Sequence, residues 1–208
     1  MSTITAPARM TAEEFAEWVE RPENADRWFE LVRGEVIELI ELPARTKIHG
    51  RVCIRVGFLL EGYVCQRGFG YVTGNDSGVI LERDPDTVRG PDVALYEDAR
   101  SFEELHPKYG EVPPRLAVEV MSPSDRIGRV MDKVSDYLRN GVALVWLVDP
   151  EVRNVTVYRP ERTPEVVNGD QDLLTEDVLP GFRCRVSEFF FVPAQPVPSP
   201  APPAAPSP

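Results

Sequence analysis

Two carboxylates stand out by the residues around them. Asp92 follows Pro91 at the head of an apolar run, Pro91-Asp92-Val93-Ala94-Leu95-Tyr96. Glu119 stands inside Leu116-Ala117-Val118-Glu119-Val120-Met121, among residues that otherwise belong in a core. A carboxylate in a buried strand requires a cation, a cluster of donors or a raised pKa, because an unpaired buried charge is very costly. Two plainer readings compete: Glu119 faces solvent from a half-exposed strand, or it pairs with a core arginine. Its place just before a strand end, where ligand sites of α/β domains gather, favours chemistry. A third residue adds weight. Ile127, Val130, Met131, Val134, Tyr137 and Leu138 form one helical stripe. At about 100° per residue, Lys133 falls on the edge of that stripe, near the angles of Arg126 and Tyr137. From there it can point along the sheet toward Glu119. Of 23 basic residues only Lys47, Lys108 and Lys133 are lysines. Lysine offers a compact charge and a movable pKa, which arginine does not.

These residues need elements to hold them. Thr11 followed by Glu14 is a capping-box pattern and opens a short helix to about Val19. Residues 28–40 alternate around Arg33-Gly34, as a β-hairpin does. Thr46 can cap a helix over 47–65, with Ile48, Val52, Val56, Leu59, Leu60 and Tyr63 at helical spacing. Gly57 weakens it by about 1 kcal/mol relative to alanine. Short strands are predicted at 70–73, 78–82, 91–96 and 116–121. Ser122-Pro123-Ser124-Asp125 then breaks the chain and caps a helix over 126–139, which ends at Asn140-Gly141. Strands at 143–148 and 154–159 flank the Asp149-Pro150 turn. Central strands with flanking helices imply an α/β domain with a mixed sheet.

Composition bounds the rest. The chain has 208 residues, 42% hydrophobic and 27% charged, enough for a core without disulfides or metal staples. Residues 193–208 hold eight prolines and no charge, so we expect one domain over 1–192 and an extended, disordered tail over 193–208. Apolar runs such as 143–148 fall far short of the ~20 residues of a membrane span. The N-terminus has no basic-then-apolar leader pattern, which makes the cytoplasm the expected location. Cys53, Cys65 and Cys184 fit neither C-x-x-C nor zinc-ligand spacing, and read as buried or idle thiols. His49 and His106 are the only histidines, too few for a multi-histidine metal site. Net charge is −11, which excludes non-specific coating of nucleic acid. The charge is uneven, however. Residues 13–41 carry ten carboxylates against three arginines, while 42–60 carry Arg45, Lys47, Arg51 and Arg55 and no carboxylate. Such a patch can grip a few phosphates locally.

Pro91-Asp92, then Glu119-Val120-Met121, then Lys133, resembles the PD-(D/E)XK nuclease superfamily. More narrowly, the chain resembles the bacterial restriction-endonuclease-like family of the Uma2 (DUF820) type. The resemblance rests on FELVRGEVIEL from Phe29, His49 opening a helix, RGPDVALY from Arg89, LAVEVMSPSDR from Leu116 and KVSDYLRNGVALVWLVDP from Lys133. It spans roughly residues 10–192. One departure matters: the E-x-K lysine would fall at 121, where this chain has Met121.

The resemblance implies a restriction-endonuclease-like core, a mixed central sheet flanked by helices, with an N-terminal helix and hairpin. It also implies Mg²⁺-dependent phosphodiester hydrolysis of DNA, with Lys133 from the next helix supplying the missing ammonium. Asp92, Glu119 and the backbone carbonyl of Val120 would hold Mg²⁺ or Mn²⁺, since a hard cation takes oxygen ligands. Lys133 would orient a water or balance charge on the phosphate. Glu30 and Glu35 read either as outer ligands or as solvated carboxylates. His49 reads as a satisfied buried histidine or as a first-turn residue facing the site. Arg51 and Arg55 either hold phosphates or pair with the acidic N-terminal region, and Arg126 is a further phosphate candidate. Superfamily nucleases commonly dimerise, so the resemblance admits a homodimer. The alternative to an enzyme is a catalytically silent DNA- or protein-binding module on the same fold, which the acidic charge favours.

Overall fold

Thr11 opens the first helix, α1 (Ala12–Val19), through reciprocal caps: its hydroxyl accepts from the Glu14 N–H, and the Glu14 carboxylate accepts from the Thr11 N–H. The computed structural model describes residues 9–39, 46–99, 101–123, 125–173 and 175–193. Arg45, Ser124 and residues 194–208 of the proline-rich tail lie outside the described residues. After α1 come β1 (Phe29–Val32) and β2 (Glu35–Glu38), joined at Arg33-Gly34, where both residues have positive φ. That is the backbone a tight hairpin turn demands. The long helix α2 (Lys47–Arg67) starts where Thr46 accepts from the His49 N–H and stops at the left-handed Gly68.

Short strands follow: β3 (Tyr71–Gly74), β4 (Val79–Glu82), β5 (Thr87–Arg89), β6 (Val93–Tyr96) and β7 (Leu116–Val120). Then come α3 (Ile127–Arg139), β8 (Leu144–Asp149), β9 (Asn154–Tyr158) and β10 (Glu165–Asn168). β5 and β10 have no counterpart in the sequence reading. β5 is only three residues long and pairs with the distant β1 as well as with β4, whereas β10 is the edge strand that folds back on its chain neighbour β9.

Two sheets result. One has the order β2-β1-β5-β4, the other β10-β9-β8-β7-β6-β3. The larger sheet is mixed. β7 and β8 are parallel, and the remaining pairs are antiparallel. A parallel pair needs a long crossover, and α3 provides it.

The strand pleat sorts side chains onto two faces. On β7, Leu116, Val118 and Val120 pack in one core with Val52, Val56 and Leu60 of α2. Ala117 packs in the other with Val134 and Tyr137 of α3. Glu119, two residues on, shares the α3 face. A third cluster, with Phe15, Trp18, Leu31 and Val88, seats α1 on the smaller sheet. Among the described residues, no helix is long and apolar enough to cross a membrane.

Two helical stripes are shorter than their periodicity. Ile48 is 63% exposed and Ile127 58%, and Met131 is also exposed. α2 is buried from Val52 onward and α3 at Val134 and Tyr137, where the helices overlie the sheet. Their first turns run past that apolar cover, and in the first turn of α2 it is His49 that is buried, against Asp92. The N-cap position of α3 also falls one residue beyond the Ser-Pro-Ser-Asp segment. The N-cap is Arg126, which makes no side-chain capping bond, and Asp125 accepts from the Ser122 N–H at 2.7 Å, closing the loop.

Gly90, between β5 and β6, is required by close approach. A Cβ there would lie 2.6 Å from the Asp76 carbonyl oxygen. Gly90→Ala should therefore destabilise the protein by about 1–3 kcal/mol, as overpacking against backbone does. Urea unfolding would measure it, and an unchanged midpoint would show that the Asp76 turn yields freely.

Candidate active site

Glu119 is a carboxylate in a strand whose five residues are all buried, and it is itself 8% exposed. Its position on the α3 face decides its partners. The Tyr137 hydroxyl donates to Oε1 at 2.7 Å, and Lys133 Nζ donates to Oε2 at 2.7 Å. Lys133 and Tyr137 are four residues apart, hence on one side of α3. The same ammonium donates to the Gly90 carbonyl at 3.0 Å and lies 3.3 Å from Glu30 Oε1.

Asp92 stands one residue before β6, which runs antiparallel to β7, so it reaches the end of β7 near Glu119. Its Oδ2 accepts from the Val120 N–H at 2.7 Å. Its Oδ1 lies 3.3 Å from His49 Nε2, and His49 Nδ1 lies 3.5 Å from Cys53 Sγ. His49 thus approaches Asp92 from α2, while Lys133 enters from α3.

Behind these groups sits a buried arginine. Arg89, the last residue of β5, donates through NH1 to Glu30 Oε2 at 2.7 Å. Its Nε and NH2 donate to Asp136 Oδ2 at 3.0 and 2.5 Å. Glu30 Oε1 also accepts from the Gly90 N–H. Glu30 belongs to the hairpin and Asp136 to α3, so one guanidinium bolts three elements together.

The charges do not cancel. Four buried or nearly buried carboxylates, Glu30, Asp92, Glu119 and Asp136, face two cations inside the cluster, Arg89 and Lys133, while Arg139 reaches Asp136 from the surface and His49 lies beside Asp92, so that the carboxylates outnumber the fixed cations. Burial pushes the Glu30 carboxyl up, but Lys133 and Arg89 outweigh it and hold the group below its ordinary value. Burial likewise raises Asp92, and His49, Lys133 and the Val120 N–H outweigh it. At Glu119 the balance reverses. Burial, aided by the Asp92 charge, overcomes Lys133 and Tyr137, and the carboxyl is pushed up to about 7. Burial would lower Lys133, yet it faces Glu119, Glu30 and Asp92 together, and they raise it. Tyr137 is held well above its ordinary value by burial and by the Glu119 charge.

A surplus of negative charge on neighbouring carboxylates fits a divalent cation, and oxygen donors suit a hard one. Among the described residues, the group of three whose ligand atoms lie within 4.8 Å of one another is His49, Cys53 and Asp92, and Glu119 is not in it.

The structure brings Asp92, Glu119, Lys133, Glu30 and His49 into one cluster, and Val120 joins through its amide. Glu35 does not join. It is exposed at the hairpin turn, opposite Val32. Arg51 donates to the Phe191 carbonyl at 2.7 Å, and Arg55 to the Glu188 carbonyl at 3.2 Å. Both thus clasp the C-terminal segment, not the acidic N-terminal region, and neither is in the carboxylate cluster. Arg126 is exposed at the start of α3. Arg89, Asp136, Tyr137 and Cys53 were missed as site residues. Their signal was spacing: Asp136 and Tyr137 follow Lys133 by three and four residues, and Cys53 follows His49 by four.

Two outcomes follow from this network. Arg89→Met leaves Glu30 with Lys133 alone and Asp136 with the exposed Arg139 alone, and should cost about 3–5 kcal/mol in denaturant unfolding, as breaking a buried pair does. The second concerns pH. Glu119 is raised in the folded state, so the stability that comes from its protonation is complete below about 4.5 and is lost as pH rises to about 7. Glu119→Gln mimics the neutral form. In chelator, wild type should lose stability relative to Glu119→Gln between those pH values, with no further divergence above. A constant difference across the range would show that burial does not govern this carboxyl.

The comparisons with known proteins agree with this architecture. A search of curated proteins returns no significant relative. Among solved structures, the chain matches a protein from Anabaena variabilis ATCC 29413 described as a "putative nuclease belonging to DUF820". The TM-score is 0.71 at 19% identity, over 87% of this chain and 97% of the other, a likeness of fold. The family model described as "Putative restriction endonuclease" matches residues 12–187. With nearly all of the described core inside that match, the chain belongs to the Uma2 family.

Proposed function

We infer that the protein is a divalent-cation-dependent endonuclease that hydrolyses phosphodiester bonds of DNA. The observation that carries the reading is the bond from Lys133 Nζ to Glu119 Oε2 at 2.7 Å, because it delivers an ammonium to the carboxylates although residue 121 is methionine. Asp92, Glu119 and the Val120 carbonyl would hold the ion, and as an all-oxygen set they suit Mg²⁺. When bound, the ion would stabilise negative charge on the scissile phosphate and lower the pKa of a water.

The chain's own residues do the rest. Val120 N–H fixes the orientation of Asp92. Tyr137 holds one oxygen of Glu119 and leaves the other to Lys133. Lys133, kept charged by three carboxylates, would orient the attacking water or neutralise a phosphate oxygen. Family membership supports nuclease chemistry. The choice of DNA, like the location in the cytoplasm, belongs to this reading, as do the domain over 1–192 and the dispensable tail over 193–208.

A second reading, a catalytically silent binding module, is favoured by the net charge of −11 and by the engagement of Arg51 and Arg55 elsewhere. Cleavage assays separate the two. Purified protein with Mg²⁺ or Mn²⁺ should nick or cut supercoiled, branched or single-stranded DNA. Glu119→Gln should abolish cleavage while remaining folded. Lys133→Met should be inactive yet bind metal, because its role is toward water and phosphate. Wild type inactive on all three substrates with both ions would favour the binding module. Normal cleavage by Lys133→Met would remove the lysine from the reaction.

A further inference from the structure

His49 is oriented from both sides. Its backbone N–H donates to Thr46 Oγ1 at 3.1 Å, which fixes it in the first turn of α2. Its Nε2 lies 3.3 Å from Asp92 Oδ1, with both side chains only 11% exposed. The other oxygen of Asp92 is taken by the Val120 N–H, so the carboxylate cannot turn away without losing that bond. Across the ring, Nδ1 lies 3.5 Å from Cys53 Sγ, one turn further along the helix. Neighbouring ligands of an octahedral ion with bonds of about 2.1 Å are about 3 Å apart. The Nε2–Oδ1 separation is close to that octahedral edge.

Resting on the reading of Asp92 as a ligand of a divalent cation, we propose that His49 Nε2 is a further ligand of that ion, beside Asp92 Oδ1. The centre then selects a first-row transition-metal ion, from Mn²⁺ to Zn²⁺, over Mg²⁺. Mg²⁺ takes oxygen donors and dehydrates reluctantly. An imidazole nitrogen is a borderline donor that suits transition ions, so one such ligand among carboxylates changes the ranking. Cys53 is the outer partner that decides which ring nitrogen carries the proton. With Nδ1–H donated to Sγ, the lone pair of Nε2 is presented on the Asp92 side. A histidine that only hydrogen-bonds to Asp92 would leave ion choice to the oxygens.

The test uses the full chain, stripped with chelator and titrated calorimetrically with MnCl₂ and, separately, MgCl₂. Wild type should bind Mn²⁺ more tightly than Mg²⁺. His49→Gln, which keeps an amide donor near Asp92, should lose roughly 10–100-fold in Mn²⁺ affinity and much less in Mg²⁺ affinity. Electron spin-echo modulation of bound Mn²⁺ should report a directly ligated imidazole nitrogen in wild type and in Cys53→Ser, and none in His49→Gln. If His49→Gln does not fold, the wild-type nitrogen signal decides alone. Absence of that signal, its persistence in His49→Gln, or equal wild-type affinity for both ions would overturn the histidine ligand and leave the carboxylate site standing. Failure of wild type to bind either ion would overturn the cation-site reading itself, and this inference with it.

Discussion

The position of Arg89 is the constraint on which the rest of the site depends. Its guanidinium is buried between Glu30 of the hairpin and Asp136 of α3, and it belongs to the smaller sheet. Removing such a charge from water is expensive, and burial alone would favour its neutral form. Glu30 on one end of the guanidinium and Asp136 on the other outweigh that and raise its affinity for the proton. The consequence is mechanical. α3 packs on the larger sheet through Val134 and Tyr137, but its register against the hairpin is set by Asp136 gripping Arg89. Lys133 is three residues earlier on that helix, so the same grip carries its ammonium to Glu30 and Glu119.

This explains why the candidate site is charged unevenly, with no need to treat each group alone. Glu30 is satisfied from two sides by Arg89 and Lys133. Asp92 has an amide, an imidazole and a nearby ammonium. Among the described residues, Glu119 shares its one cationic contact with Glu30, and it lies within the field of Asp92. It is therefore the carboxylate that the protein stabilises least as an anion, and the one for which an added cation would change most. A structural salt-bridge network alone would not be expected to leave its central member in that state. Perturbed carboxyls of this kind gather where charge is to be bound or moved.

Much of this was legible in the sequence where the controlling physics is local. The Thr11–Glu14 cap, the Arg33-Gly34 turn and the Thr46 start of α2 are each decided by residues within a few positions. Glu119 was legible because alternation puts it among residues that demand burial, and Lys133 because helical angle places it on the stripe's edge. What was not legible depends on distant partners. β5 exists because Thr87–Arg89 pairs with both β1 and β4, which the three residues alone do not announce. Arg51 and Arg55 read as a free basic patch until the C-terminal segment supplies carbonyls for them. The apolar look of Ile48 and Ile127 is true to helical period, but period says nothing about where the covering sheet ends.

On the proposed reading, in which Lys133 stands in for a lysine at 121, the placement of the ammonium follows from the same geometry. On a strand, residues i and i+2 share a face, so a lysine at 121 would have pointed its ammonium to the α3 side beside Glu119. That face is also where Lys133 enters, from the opposite direction, off a helix laid across the strands. The two routes deliver a charge to one place but differ in what secures it. A strand lysine is fixed by the ladder alone, whereas Lys133 is fixed by the packing of Val134 and Tyr137 and by Asp136 on Arg89. Tyr137 belongs to both arrangements. Its ring fills the core under α3, and its hydroxyl holds the oxygen of Glu119 that Lys133 leaves open. Moving the ammonium onto the helix thus ties the geometry of the carboxylates to the core itself, so that a change in packing beneath α3 is felt at Glu119 through the tyrosine as well as the lysine.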